Sequence, residues 1–231
     1  MPSDTPNDPP ITSLRDPRAI QMMSTEHWSL LSARSLAYNE AFTRGGMFLT
    51  FLSMTFVALA LVASAMSFTG EFLAIAGILL AFDLVIGLGT YGRIIAANQD
   101  DYRALHGMAR IRHGYTEIAP ILAPYFTSSV NDDVKGVLVS YGSPATTRTG
   151  QLTYALTTSS GMIALIVALL AGVLTHVVVL LGGLPVAVGF VAGAVVIVGV
   201  FAGLAAFTAR YFRAEQARLS VLFPSSEGPA A

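Results

Sequence analysis

The chain has 231 residues, 54% of them apolar and only 12% charged, and its formal net charge at pH 7 is −1. A domain surrounded by water could not easily cover so much apolar surface with so few charges, so the composition predicts a membrane protein. The near-zero charge gives no argument for nucleic acid as a partner. The absence of cysteine excludes disulfides, thiolate metal sites and cysteine nucleophiles.

The N-terminal region precedes the first long apolar segment. Residues 1–23 are polar at their start and contain several prolines, which predicts a disordered or loosely helical tail and is not typical of a cleaved signal peptide. Residues 24–46 predict an amphipathic helix beside the membrane. Asp16-Pro17 can begin a short helix and Ser24 or Thr25 a longer one, and Gly45-Gly46 allows a bend. The apolar or small stripe of the longer helix comprises Trp28, Leu31, Ser35, Tyr38 and Phe42.

Four apolar segments follow, at residues 47–67, 72–91, 161–182 and 184–209. Each has about the 20 residues that a helix needs to cross a hydrocarbon core of roughly 30 Å. Short turns join the first segment to the second and the third to the fourth. The sequence therefore predicts an all-α, polytopic membrane protein with four transmembrane helices in two hairpins, residues 47–91 and 161–209.

Residues 92–160 separate the two hairpins. We expect the second span to continue as a long helix that ends before Pro120, and a shorter helix to begin at Asp132 or Asp133 and reach Tyr141. Residues 142–150 predict a flexible loop, and residues 210–231 a tail that is loose from Pro224 onward. The long helix carries an apolar stripe that would pack against the stripe before the first span or against another copy, forming a small cytoplasmic helical domain: Leu105, Met108, Ile111, Tyr115 and Ile118.

The basic residues predict the orientation of the spans. None of the 13 lysines and arginines lies in a hairpin turn. Because Lys and Arg are retained on the cytoplasmic side, both termini and the segment between the hairpins are predicted to be cytoplasmic. Several of these residues, together with a tryptophan, are expected at the membrane interface beside lipid headgroups: Trp28, Arg44, Arg93, Arg210 and Arg213.

Asp83 is the one acidic residue inside a predicted span. It lies about 11 residues, or roughly 16 Å, from the outer end of that span, where a carboxylate costs about 3 kcal/mol even on permissive scales. It can line an ion or proton path. Alternatively, it is a neutral carboxyl that bonds to Thr55, at the same depth in the first span, or to another copy. His176 lies roughly 7 Å shallower and can reach Asp83 only through water.

Glycines predict close helix packing. Gly189 and Gly193 form one G-x-x-x-G motif in the fourth span, and Gly199 and Gly203 form a second. Such motifs let helices approach closely, within one chain or between copies. Gly87 and Gly172 are small residues near the depth of Asp83 and are expected to serve the same purpose.

The sequence contains no pattern that indicates catalysis. No G-x-S-x-G, H-E-x-x-H or P-loop motif is present. Asp100-Asp101 and Asp132-Asp133 suit solvated turns or helix starts as well as any catalytic pair. His106 and His113 flank arginines that would repel a metal ion, so we expect no metal and no cofactor.

Three segments resemble sequence blocks of uncharacterised bacterial integral membrane proteins with four spans: residues 26–36 (EHWSLLSARSL), 39–42 (NEAF) and 108–115 (MARIRHGY). This resemblance implies no known activity. The layout of the first half, a helix before a transmembrane hairpin and another after it, is similar to that of the two-span SLATT membrane effectors of bacterial defence systems. The second hairpin departs from that layout.

Two functional hypotheses remain. The first is an oligomeric scaffold or interaction subunit, embedded in the bilayer, whose cytoplasmic helices bind a protein partner and whose Asp83 is structural. The second is an oligomeric ion or proton pore, or a membrane-disrupting defence effector, with Asp83 lining the path. A single intramembrane acid and the absence of broken-helix repeats argue against a transporter built within one chain.

Overall fold

A computed structural model describes residues 10–66, 69–142 and 158–225. These residues form helices and contain no β-strand. In chain order the helices are α1 (Pro17–Met66), α2 (Gly70–Ile118), a 3₁₀ helix (Pro120–Tyr125), α3 (Val134–Ser140), α4 (Ser159–Leu181) and α5 (Val186–Arg218). Four of these described helices, α1, α2, α4 and α5, are long and apolar enough to cross a membrane.

Helix α1 is one continuous helix, where the sequence had offered one start at Asp16-Pro17 and another at Ser24 or Thr25. It begins at Pro17 and runs through Gly45-Gly46 to Met66. Asp16 starts it, because its carboxylate accepts a hydrogen bond from the N–H of Arg18 at 2.9 Å. Thr25 caps nothing, since its hydroxyl donates to the Gln21 carbonyl of the preceding turn.

Helices α2 and α3 confirm the predicted boundaries. Helix α2 continues through residues 92–118 and ends two residues before Pro120. Asp133 caps α3 by accepting a hydrogen bond from the N–H of Gly136 at 2.8 Å. The predicted loop at residues 142–150 and the loose end of the tail fall largely outside the described residues.

The chain divides into two compact units. Among the described residues, unit 1 contains residues 10–35, 100–142 and 220–225, and unit 2 contains residues 36–66, 69–99 and 158–219. The core of unit 1 includes Leu105, Ala109 and Val137, each at most 1% exposed. In this unit the side chains of Leu30 and Met23 on α1 lie directly over Gly107 and Gly114 of α2.

Unit 2 has a core made by α1, α2 and α4, with fully buried Phe48, Ile95 and Val167. Helix α5 is held by polar bonds as well. The Tyr91 hydroxyl on α2 donates to the Leu204 carbonyl at 3.0 Å, and the Gln99 amide donates to the Tyr211 carbonyl at 3.2 Å. At the turn between α4 and α5, Gly183 has φ +72°, a conformation that favours glycine.

Candidate functional site

Asp83 lies on the buried stripe of α2. This stripe runs through Ala76, Leu80, Asp83 and Gly87, spaced by three and four residues as one helical face requires. Asp83 is only 2% exposed. The chain therefore places this carboxyl in the interior of unit 2, among apolar side chains.

No described residue forms a hydrogen bond or an ion pair with Asp83. Its Oδ2 atom is buried and without a partner. Thr55 and His176, the two partners suggested by the sequence, do not bond to it in the described part of the chain. A buried polar atom without a partner is costly, and such atoms in folded proteins call for an explanation.

His176 instead faces α5. Its ring lies over Gly189, where a Cβ atom would come within 2.5 Å of Nδ1, and it contacts Phe190 with ring centroids 4.5 Å apart. Nδ1 is buried without a hydrogen-bond partner. These residues, with Gly172 and Gly193, line an apolar recess of about 300 Å³ between α4 and α5.

The predicted packing glycines fall into two groups. Gly87, Gly172, Gly189 and Gly193 lie at close contacts within unit 2: a Cβ atom on Gly87 would be 2.9 Å from both Phe48 and Val167, and one on Gly193 would be 2.8 Å from the Gly172 carbonyl oxygen. By contrast, Cβ atoms built on Gly199 and Gly203 meet no described atom within 4 Å. The two G-x-x-x-G motifs of α5 therefore have different surroundings.

The predicted interface residues are exposed. Trp28 is 64% exposed, and Arg210 and Arg213 also lie on the surface. Arg44 and Arg93 both bind the Glu40 carboxylate. These two guanidinium groups lower the pKa of Glu40 below its ordinary value.

Unit 1 contains a site that the sequence did not indicate. Asp132 is 1% exposed, and its carboxylate accepts hydrogen bonds from Arg110 Nε at 2.8 Å and from the N–H groups of Leu222 and Phe223. The N–H of Asp132 donates in turn to the Phe223 carbonyl. Asp132 thus binds the C-terminal segment 220–225, which we name the tail strap.

Burial and hydrogen bonding act on Asp132 in opposite directions. Burial raises the pKa of its carboxyl, but the Leu222 N–H, the Arg110 guanidinium and the Phe223 N–H favour the ionised form, and the net effect lowers the pKa below 3.8. Asp133 also binds the tail strap through the N–H and hydroxyl of Ser225. The Phe223 ring stacks on His113 with centroids 3.8 Å apart.

The Asp132-Asp133 pair was expected to be a solvated turn or a helix start. Asp133 is a helix start, whereas Asp132 is buried and charged. No local signal separated the two, because Asp132 is bound by backbone N–H groups of Leu222 and Phe223, which every sequence offers.

Two histidines of unit 1 have a pKa below the ordinary value. Burial, followed by the nearby Arg110, lowers the pKa of His106 below 6.5 even though Asp132 opposes the shift. Burial and Arg112 lower the pKa of His27 in the same way. Within the described residues, no group of three or more His, Asp or Glu side chains can hold a metal ion.

No protein-family model, no curated protein sequence and no solved structure matches this chain. The resemblance to bacterial four-span proteins and to SLATT effectors stays a prediction. The geometry of the two units is therefore the basis for any functional proposal.

Proposed function

We propose that the protein is an integral membrane protein whose four long apolar helices cross the bilayer as two hairpins. The lengths and hydropathy of α1, α2, α4 and α5 support this topology. The 13 lysines and arginines support an orientation with both termini and unit 1 on the cytoplasmic side, because none of these residues lies in the turns after α1 or α4.

Within that topology, the protein acts as an oligomeric scaffold. The observation that carries this proposal is the open small-residue face of α5, formed by Ala192, Gly199, Gly203 and Ala206 at helical spacing. Glycine gives a helix no side-chain packing of its own, so such a face is favourable where another backbone approaches closely. Gly189 and Gly193 meet α4 of the same chain, which leaves Gly199 and Gly203 for a second copy.

The partner-binding part of the scaffold is the outward face of α1. In unit 1, Trp28 is 64% exposed and Leu31 is also exposed. These two side chains lie on the surface, whereas Leu105 and Met108 of the second stripe are buried. Clustered exposed apolar side chains of this kind mark binding surfaces for proteins or for the membrane interface.

The burial of Asp83 favours a scaffold over a pore lined by this residue. A ring of carboxylates from several copies must face a shared aqueous lumen. Asp83 is 2% exposed within its own chain, so it is not on a surface that several copies can share.

Counting copies in lipid nanodiscs, by single-molecule photobleaching, tests the proposal. We expect the wild type to contain at least two copies and the double variant Gly199→Leu, Gly203→Leu to be monomeric, since leucine prevents close approach. The matched control is Gly89→Leu with Gly92→Leu, two glycines of α2 whose built Cβ atoms also meet no described atom within 4 Å. A monomeric wild type, or a double variant that keeps its copies, would contradict the proposal.

Ion and proton flux in liposomes separates the scaffold from the pore. The scaffold predicts no leak above empty liposomes for the wild type or for Asp83→Asn. A wild-type leak that Asp83→Asn abolishes would replace the scaffold proposal with the pore.

A further inference from the structure

The tail strap is bound to the rest of unit 1 mainly through its main chain. Asp132 accepts hydrogen bonds from the N–H groups of Leu222 and Phe223, and its own N–H donates to the Phe223 carbonyl at 3.1 Å. The Asn131 amide donates to the Phe223 and Pro224 carbonyls at 3.4 and 3.2 Å. In peptide recognition, main-chain bonds of this kind supply affinity and side-chain contacts supply the choice of sequence.

Both ends of the strap are bound by side chains. Arg110 donates to the Ser220 carbonyl, and Asp133 accepts from the N–H and the hydroxyl of Ser225 at 3.1 and 2.8 Å. The residues that bind the strap form one group, which we name the strap site: Arg110, His113, Asn131, Asp132 and Asp133.

The loop between the 3₁₀ helix and α3 keeps its shape through bonds that do not involve the strap. The Ser129 hydroxyl accepts from the Asn131 N–H at 3.0 Å, and the Ser129 carbonyl accepts from Arg112 at 2.8 Å. A Cβ atom on Gly136 would collide with the Asn131 carbonyl oxygen, so the loop packs closely against α3. The strap site is therefore preorganised, which lowers the free-energy cost of binding a segment there.

Few apolar contacts hold the strap in the site. Val221 and Leu222 are 48% and 57% exposed, whereas the Phe223 ring stacks on His113. Segments with few buried apolar contacts open at low free energy while the remaining structure stays folded. The strap can therefore leave the site without unfolding unit 1.

We propose that the strap site is a peptide-binding site, which the strap occupies within the chain and from which a segment of a second protein displaces it. The segment that fits is non-helical. It carries an aromatic residue for the His113 ring, then a proline whose carbonyl binds Asn131, then a serine for Asp133. This proposal goes beyond the scaffold function and does not depend on it, because it concerns unit 1 and not the number of copies.

Fluorescence anisotropy tests the proposal with a labelled peptide that has the sequence of residues 219–225 (LSVLFPS) and the full-length chain in lipid nanodiscs. Phe223→Ala in the chain loosens the strap, because the stacking on His113 is lost, while the peptide keeps its phenylalanine. We expect this variant to bind the peptide about tenfold more tightly than the wild type. We expect Asp132→Asn, added to Phe223→Ala, to abolish binding.

Leu222→Ala is the matched control within the strap. Its side chain is exposed, and alanine keeps the N–H that binds Asp132. We expect this variant to bind the peptide as the wild type does. The proposal is overturned if Phe223→Ala does not bind the peptide, if Asp132→Asn leaves binding unchanged, or if Leu222→Ala opens the site as much as Phe223→Ala.

Hydrogen exchange of the wild type gives a second test, which needs no variant. The strap competes with an effective concentration in the millimolar range, so the peptide is added at about 10 mM. We expect faster exchange at residues 220–225 and unchanged exchange in α3, and no effect of a peptide with the same residues in scrambled order. Unchanged exchange at residues 220–225, or an equal effect of the scrambled peptide, overturns the proposal.

Nanodiscs that hold a single copy distinguish the two sources of a bound strap. We expect residues 220–225 to stay protected there, since the strap binds within its own chain. Loss of protection in single-copy nanodiscs would assign the site to the strap of a second copy and overturn the proposal.

Discussion

Asp132 joins the tail strap to Arg110 of α2 in unit 1. Its buried carboxylate accepts hydrogen bonds from Arg110, Leu222 and Phe223. Asp132→Asn removes the charge and replaces one acceptor oxygen by a donor, which leaves these groups without a full partner. We expect a loss of about 3 kcal/mol in the local stability of the tail strap, read as faster hydrogen exchange at residues 220–225.

Asp100→Asn is the matched control for this substitution. Asp100 also pairs with an arginine, Arg103, but its side chain is 64% exposed, and exposed pairs contribute at most about 1 kcal/mol. We expect the exchange of residues 220–225 to match the wild type. Equal effects of the two variants would show that Asp132 does not hold the tail strap.

His106 makes unit 1 sensitive to mild acid. Its pKa in the folded chain lies below 6.5, so the unfolded chain binds more protons once the pH falls below that value. This contribution to stability is present above the ordinary histidine pKa of about 6.5 and is lost as the pH falls below it. His27 acts in the same direction. The Asp132 carboxylate stays ionised in this range, because its pKa is below 3.8.

The measurement is hydrogen exchange of the backbone amides of unit 1 at pH 7 and at about pH 5.5. The measured rates are corrected for the pH dependence of the exchange rate of an unprotected amide. We expect weaker protection at the lower pH in the wild type and a smaller pH effect in His106→Gln, whose side chain does not titrate. Protection that is independent of pH in the wild type would contradict the lowered pKa of His106.

Among single residues, the sequence indicated an acid that lies inside an apolar span, but it did not indicate an acid whose partners are distant along the chain. Asp83 stands out because it interrupts an apolar span. Asp132 does not stand out, because its partners Arg110 and Leu222 are 22 and 90 residues away along the chain. Long-range pairing of this kind depends on the fold and has no local pattern.

At the scale of elements, the contact between α4 and α5 is set by glycine. A Cβ atom on Gly193 would lie 2.8 Å from the Gly172 carbonyl oxygen, and backbone cannot move aside as a side chain can. We expect Gly193→Ala to lower the free energy of unfolding in mixed micelles by about 1 to 3 kcal/mol.

Gly199→Ala is the control within the same helix, since its Cβ meets no described atom within 4 Å. We expect it to leave the stability of the single chain near that of the wild type. If Gly199→Ala and Gly193→Ala destabilise the chain equally, the two motifs do not differ as described.

Helix starts and stops were predicted well where a local signal decides them. Pro120 follows α2, and Asp133 caps α3. The start of α1 was not resolved between Pro17 and Ser24 or Thr25, because each has residues that can cap a helix. Of the two alternatives for the α1 stripe, packing against the second stripe is not seen at Trp28 and Leu31, which are exposed, while Leu30 packs inward. Packing against another copy stays a prediction. A stripe of mixed small and apolar residues does not specify which face finds a partner.

For the whole molecule, the prediction of four spans rests on hydropathy, and the prediction of their orientation rests on the positions of the lysines and arginines. The four predicted spans coincide with described helices that are long and apolar enough to cross a membrane. Function did not follow from the same signals, because a scaffold and a pore need the same apolar helices. The surroundings of Gly199 and Asp83 favour the scaffold. They depend on how helices distant in sequence pack together, and no local sequence pattern predicts that packing.

The proposed topology is tested most directly by labelling single cysteines with a membrane-impermeant maleimide. The chain contains no cysteine, so a single introduced thiol has no background within the protein. We expect Glu71→Cys, in the first turn of α2, and Leu184→Cys, in the turn after α4, to be labelled in intact cells. We expect Lys135→Cys and Ala214→Cys to be labelled only after the membrane is permeabilised. Labelling of Lys135→Cys in intact cells, or protection of either turn, would contradict the four-span account.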